Sequence, residues 1–142
     1  MVQTALLWDF DNVIVGKAHL RELASTLGAL VDSGAPRIAA AHRHRYLAYR
    51  LLLSEHGFEV LSGGRRASGA DRELLKRGRH LLGLGTRRFV VASNDGRFSA
   101  LAPPGELQVV TMDPRQVSRR LARAAIDVRV LHIPNVGNRP EG

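Results

Sequence analysis

A chain of 142 residues with 44% apolar content is long enough for one domain with a buried core and too apolar to stay disordered. It carries no cysteine, which excludes disulfides, thiolate catalysis and Cys-ligated zinc. A formal net charge of +8, carried by arginine apart from Lys17 and Lys76, points to a polyanionic partner, with nucleic acid first.

The first apolar run, residues 5–10, ends in LLWDFDNVIV, which sets Asp9 and Asp11 two apart. No basic segment precedes it and two acids close it, so it reads as a strand and not as a signal peptide. No run reaches the roughly 18 apolar residues of a membrane helix. A cytoplasmic location is the expectation. Ala18, Leu20, Leu23, Ala24, Leu27, Leu30 and Val31 then recur at helical spacing, and Gly34 and Pro36 stop the helix. A second strand is expected over 38–41, followed by the HRHRY loop and a helix over 46–56. Strand 58–61 leads through Arg65, Arg66 and SGAD into a helix over 71–82. Strand 89–93 runs into SNDGRF, with a short helix after Phe98 that breaks at Pro103 and Pro104. Strand 107–112 precedes a helix from Asp113 and Pro114 to Ala124, with Asp113 as N-cap and Pro114 as first residue. A last strand is expected over 128–133. Residues 1–134 read as one domain and 135–142 as an unstructured tail.

Short continuous apolar runs alternating with helices predict an α/β fold: a mainly parallel central sheet with helices on both faces, in three layers. Ligands of such sheets bind outside the carboxyl ends of the strands, at the switch point. Four acids fall in loops at that edge: Asp9, Asp11, Asp71 and Asp95. Singly, each has a structural explanation. Asp71 suits the first turn of a helix, Asp95 an Asn-Asp-Gly turn, and Asp11 an Asx turn with Asn12. Together they repel one another unless a divalent cation sits among them. Oxygen ligands without cysteine suit Mg²⁺ or Mn²⁺, which can hold a scissile phosphate and lower the pKa of an attacking water.

LLWDFDN, SGAD and VVASNDGRF resemble, in order and spacing, the three motifs of the NYN domains, a branch of the PIN-like nucleases. Asp9, Phe10, Asp11 and Asn12 match the first motif, Gly69, Ala70 and Asp71 the second, and Ser93 to Phe98 the third. The resemblance covers nearly the whole chain and implies a three-layer PIN-like domain that hydrolyses RNA with a divalent metal. It implies that Asp9, Asp71 and Asp95 hold the ion and that Asp11 ligates it or orients the attacking water. Asn12 and Ser93 would fix the loops or bond a phosphate, with Asn94 beside them in the substrate loop. Two positions depart from the pattern. Asn94 replaces a usual glycine, and Arg97 stands where a further acid is common. That swap weakens the metal site or supplies a phosphate clamp. Arg65 and Arg66 on the approach to SGAD, and Arg43 and Arg45 in HRHRY, are further candidates for phosphate contact.

DFDNV also matches the first motif of haloacid-dehalogenase-type phosphatases, with Asp9 as nucleophile, Asp11 as general acid and Ser93 as second motif. The lysine and acidic pair that should follow are missing, since Lys76 precedes Ser93, and Asp113 and Asp127 read as a helix cap and a strand-start residue. A third reading is an NYN domain that binds RNA without cutting it. The partner is RNA in two of the three readings, and a homodimer is left open. His42 and His44 read as solvated residues, Arg119, Arg120 and Arg123 as a solvated helical face, Trp8 and Phe10 as core, and Tyr46 and Tyr49 as packing. LGLG at 82–85 precedes a strand and so is no dinucleotide loop, and no Ser-His-Asp order is legible.

Overall fold

Six short segments form one sheet, and the four inner ones are largely apolar because helices bury them on both faces. The computed structural model of the chain describes residues 3–133. Strands β1 (Thr4–Asp9), β2 (Arg37–Ala41), β3 (Glu59–Ser62), β4 (Arg88–Ala92), β5 (Glu106–Thr111) and β6 (Ala125–Val130) lie in the order β3-β2-β1-β4-β5-β6. Every pairing is parallel.

The connections are α1 (Leu20–Gly28), entered through a 3₁₀ turn at Lys17–His19, then α2 (Arg43–Glu55) and α3 (Gly69–Gly83), a 3₁₀ segment at Gly96–Leu101, and a 3₁₀ turn at Pro114–Gln116 before α4 (Arg119–Ala124). Helices α1 and α2 cover one face, where Leu20, Leu23, Leu27 and Leu53 pack on Leu6, Trp8, Ala39 and Val90. On the other, Leu74 and Leu81 of α3, with Phe98, Leu101 and Leu121, pack on Leu7, Ala40, Phe89 and Val91. This is the three-layer α/β/α, Rossmann-like arrangement expected of the alternating pattern. The expected tail, residues 135–142, lies outside the described residues.

The strand order reverses at β1. Chain leaving its carboxyl end is flanked by β2 on one side and β4 on the other, which opens the crevice where such sheets bind ligands. Strand alternation then decides which way Asp9 points. Leu6 and Trp8 face α1, so Ala5, Leu7 and Asp9 face α3. Trp8 and Phe10 are core residues, as expected, with ring centroids 5.0 Å apart, and the Trp8 indole N–H donates to the Val13 carbonyl at 2.9 Å. Tyr49 packs on Phe10 at 5.6 Å and Tyr46 on the same cluster.

Several expected boundaries move. Helix α2 starts at Arg43 and absorbs HRHRY: the His42 imidazole accepts the His44 N–H at 3.3 Å, so these residues are a capped first turn and not a loop. The helix expected from Asp113 to Ala124 is split. Asp113 does cap its first turn, accepting the Arg115 N–H at 3.0 Å. Val117 is extended at φ −68°, ψ 127°, and the Ser118 N–H is drawn off to the Asn94 carbonyl at 3.0 Å. The last strand sits three residues earlier than 128–133 and is the sheet edge, only partly buried, as is β3. The 3₁₀ segment begins at Gly96, before Phe98 and not after it.

Candidate functional site

Beyond β1 the chain turns sharply. The Asn12 and Val13 N–H groups both return to the Asp9 carbonyl at 3.0 Å. The turn swings Asp11 toward β2, where its carboxylate accepts the His42 N–H at 2.7 Å and pairs with Arg45 at 3.0 Å. It also sets Asn12 across the crevice, its side-chain carbonyl accepting the Asn94 N–H at 2.6 Å. Asn94 in turn accepts from the buried Thr111 hydroxyl at 2.6 Å. Asn12, Asn94 and Thr111 therefore bind together the loops after β1, β4 and β5.

The loop after β4 brings Ser93 and Asp95. The wholly buried Ser93 hydroxyl donates to Asp9 at 3.2 Å and accepts the Asp95 N–H at 3.1 Å. Asp95 accepts the Arg97 N–H at 2.9 Å and so caps the 3₁₀ segment. The loop after β3 supplies the third acid. Gly63 and Gly69 meet so closely that a Cβ on Gly69 would overlap the Gly63 carbonyl oxygen. That contact seats the first turn of α3 against the sheet edge and points Asp71 inward.

The result is one cavity of about 280 Å³ lined by Asp9, Asp11, Asn12, Ala67, Ser68, Ala70, Asp71, Asp95 and Arg97. Acids from three loops meet there, as the spacing of the motifs predicts. Asp9, only 6% exposed, has its carboxyl pushed up to about 7. Burial is the main cause, the Ser93 hydroxyl opposes it, and Asp71, Asp11 and Asp95 add repulsion. Asp71 is also raised, first by burial and then by the Asp95 carboxyl, with Arg97 pulling the other way. Its Oδ2 meets Arg97 Nη1 at 2.7 Å, while its Oδ1 is buried and has no hydrogen-bond partner among the described residues. Two adjacent carboxyl groups can share a proton or a cation and otherwise repel.

All-oxygen donors, crowded charge and an unpartnered buried oxygen suit a hard divalent cation. What the arrangement lacks is a ready set: among the described residues no three His, Asp or Glu side chains stand together as metal ligands, and Arg97 already holds one oxygen of Asp71.

The remaining basic candidates do not line this cavity. Arg45 is occupied by Asp11, while Arg43 is exposed on the first turn of α2 with its N–H tied to the Gly64 carbonyl at 3.0 Å. Arg65 is exposed just before α3. Arg66 lines a neighbouring cavity with Gly63, Gly69, Arg72, Glu73 and Lys76. His42 and His44 stack on each other 5.3 Å apart outside the acidic cavity. Sequence reasoning missed Thr111, whose one signal is a hydroxyl at the carboxyl end of an apolar strand, and it missed the Gly63–Gly69 approach altogether.

No protein-family model matches this chain, and no curated protein does. Among solved structures it is similar to a protein of unknown function from Vibrio parahaemolyticus, at 20% identity and a TM-score of 0.67, covering 92% of this chain and 93% of that one. At that identity the likeness bears on the fold alone.

Proposed function

We propose that this chain is a PIN-like, NYN-type nuclease that hydrolyses RNA with Mg²⁺ or Mn²⁺. The observation that carries the reading is the convergence of Asp9, Asp71 and Asp95 from three loops on one cavity, with Asp71 Oδ1 buried and unpartnered among the described residues. Asp9, Asp71 and Asp95 would hold the ion. When bound, the ion lowers the pKa of an attacking water and offsets charge at the scissile phosphate. Ser93 keeps Asp9 and the Asp95 loop in place, and Asn12 holds the loop after β4. Asp11, fixed by the His42 N–H, is set to orient the nucleophile. Arg43, Arg65 and Arg66 carry the positive charge that draws the phosphate backbone.

Two observations weigh against a phosphatase with Asp9 as nucleophile. No lysine lines the cavity, since Lys76 lies in the neighbouring one, and Asp113 is spent on Arg115 and on its own turn. One observation favours the second reading, an RNA-binding domain that does not cut: the Arg97–Asp71 pair neutralises a would-be ligand.

Single-stranded RNA of mixed sequence incubated with Mn²⁺, with Mg²⁺ and with chelator tests the reading. Cleavage that requires the metal and is lost in Asp71→Asn is expected. Binding without cleavage under either metal would leave the non-cutting reading, and a phosphoryl group trapped on Asp9 without RNA cleavage would overturn the nuclease.

A further inference from the structure

The two partners of the Arg97–Asp71 pair are unequal. Asp71 is held on the first turn of α3, with its side chain 4% exposed, and has nowhere to go. Arg97 is 51% exposed at its side chain. Its backbone is pinned, because its N–H bonds Asp95 and the Asp95 N–H bonds Ser93, so the anchor is fixed while the half-exposed guanidinium has solvent to turn into if it leaves Asp71. The guanidinium lines the acidic cavity and uses Asp71 Oδ2, leaving Oδ1 unpartnered among the described residues. Asp71 is thus half satisfied by a monovalent cation that the chain itself supplies.

We infer that Arg97 competes with the divalent ion for Asp71, and that its displacement by the ion releases the guanidinium to the substrate phosphate, so that metal loading and phosphodiester capture are coupled through this one side chain. The inference rests on the nuclease reading. Its physical basis is exclusion. A guanidinium against Asp71 adds positive charge where a doubly charged ion must enter, and the same fork cannot bond Asp71 and a phosphate at once. Once free, its planar donors match two phosphate oxygens. Coupling between binding free energies is reciprocal, so a phosphodiester that holds Arg97 away from Asp71 must tighten the metal by the factor with which the metal tightens the phosphodiester.

Mn²⁺ titrations of the full chain followed by electron paramagnetic resonance, with and without a short cleavage-resistant phosphorothioate oligoribonucleotide, test this without reading activity. Arg97→Gln should bind Mn²⁺ about tenfold tighter than the parent in the absence of RNA, because a charge-assisted bond to a buried carboxylate no longer has to be broken. The oligonucleotide should tighten Mn²⁺ binding to the parent more than to the variant, in which only direct contact between the ion and the phosphate remains. Arg97→Lys, which keeps a cation beside Asp71, should stay near the parent and serves if the glutamine variant folds poorly. Equal or weaker Mn²⁺ binding in Arg97→Gln, or the same RNA-induced tightening in both proteins, would overturn the role of Arg97 while leaving a metal site. Failure of parent and variant alike to take up Mn²⁺ at millimolar concentration would overturn the nuclease reading and this inference together.

Discussion

Replacing Asp9 with Asn removes a charge that the fold tolerates poorly. The Asp9 carboxyl moves from 3.8 to about 7 on folding, chiefly because it is buried at the end of β1. A raised folded-state value means that the folded chain binds the proton more tightly than the unfolded chain. Stability from this group is therefore greatest at low pH and is lost as pH rises from the unfolded to the folded value. A shift of about three units corresponds to roughly 4 kcal/mol in full. About one unit of that interval lies below pH 5, so the loss between pH 5 and pH 8 is roughly 2–3 kcal/mol. Asn keeps the shape and can still accept from the Ser93 hydroxyl, but it does not titrate. In chelator, Asp9→Asn should exceed the parent by roughly 1–2 kcal/mol at pH 5 and by roughly 4 kcal/mol at pH 8, a widening of roughly 2–3 kcal/mol that for a chain of this length is on the order of 5–10 °C in melting temperature. Urea or thermal unfolding of both proteins at the two pH values measures it. A gap that does not widen between pH 5 and pH 8, or a variant less stable than the parent at pH 8, would refute the picture of a buried carboxyl crowded by Asp71, Asp11 and Asp95.

Asp71→Asn and Asp95→Asn should each nearly abolish metal-dependent RNA cleavage, and the double variant should lose little more, because ligands of one ion act as a unit; independent losses in the single-turnover rate would separate them. RNA affinity should fall steeply with salt, with a slope in log Kd against log salt set by the number of phosphates contacted, and a flat dependence from low to physiological salt would remove the exposed arginines from recognition. Gly69→Ala, whose Cβ would overlap the Gly63 carbonyl oxygen, should cost about 1–3 kcal/mol or more in denaturant unfolding, and an unchanged midpoint would show that the approach can relax.

Much of the architecture was legible because a strand buried on both faces has a plain signature. Ala5 to Trp8, Ile38 to Ala41 and Phe89 to Ala92 are apolar throughout, and each lies in a strand flanked by neighbours on both sides. The pattern faded at the edges. In β3 and β6 one side of the strand is open, polar residues intrude, and the end of β6 could not be placed from hydropathy alone. The helix expected after Asp113 failed for a different reason. Local propensity favours a helix there, but the Ser118 N–H bonds the Asn94 carbonyl, a partner 24 residues away whose position depends on the loop after β4. Tertiary hydrogen bonding of that kind leaves no trace in local composition.

The candidate site divides along the same line. That Asp9, Asp71 and Asp95 would meet follows from the parallel order, since Asp9 closes β1, Asp95 lies just beyond β4 and Asp71 sits in the first turn of the helix after β3. Strand parity then puts Asp9 on the face of α3, beside Asp71. The partner of each acid is another matter. Asp11 and Arg45 are 34 residues apart, and Asp71 and Arg97 are 26 apart. Nothing in either stretch distinguishes an arginine that waits for a phosphate from one that already holds a carboxylate. From sequence Arg45 is a candidate phosphate contact and Arg97 either a phosphate clamp or a weakening of the metal site; in the structure both are paired with acids of the cavity itself. The net charge of +8 therefore overstates what is free to meet RNA at the mouth of the cavity. Two of the arginines nearest the acids pair with Asp11 and Asp71, so on the proposed reading the attraction for a polyanion would fall to Arg43, Arg65 and Arg66 until a divalent ion displaced Arg97 from Asp71.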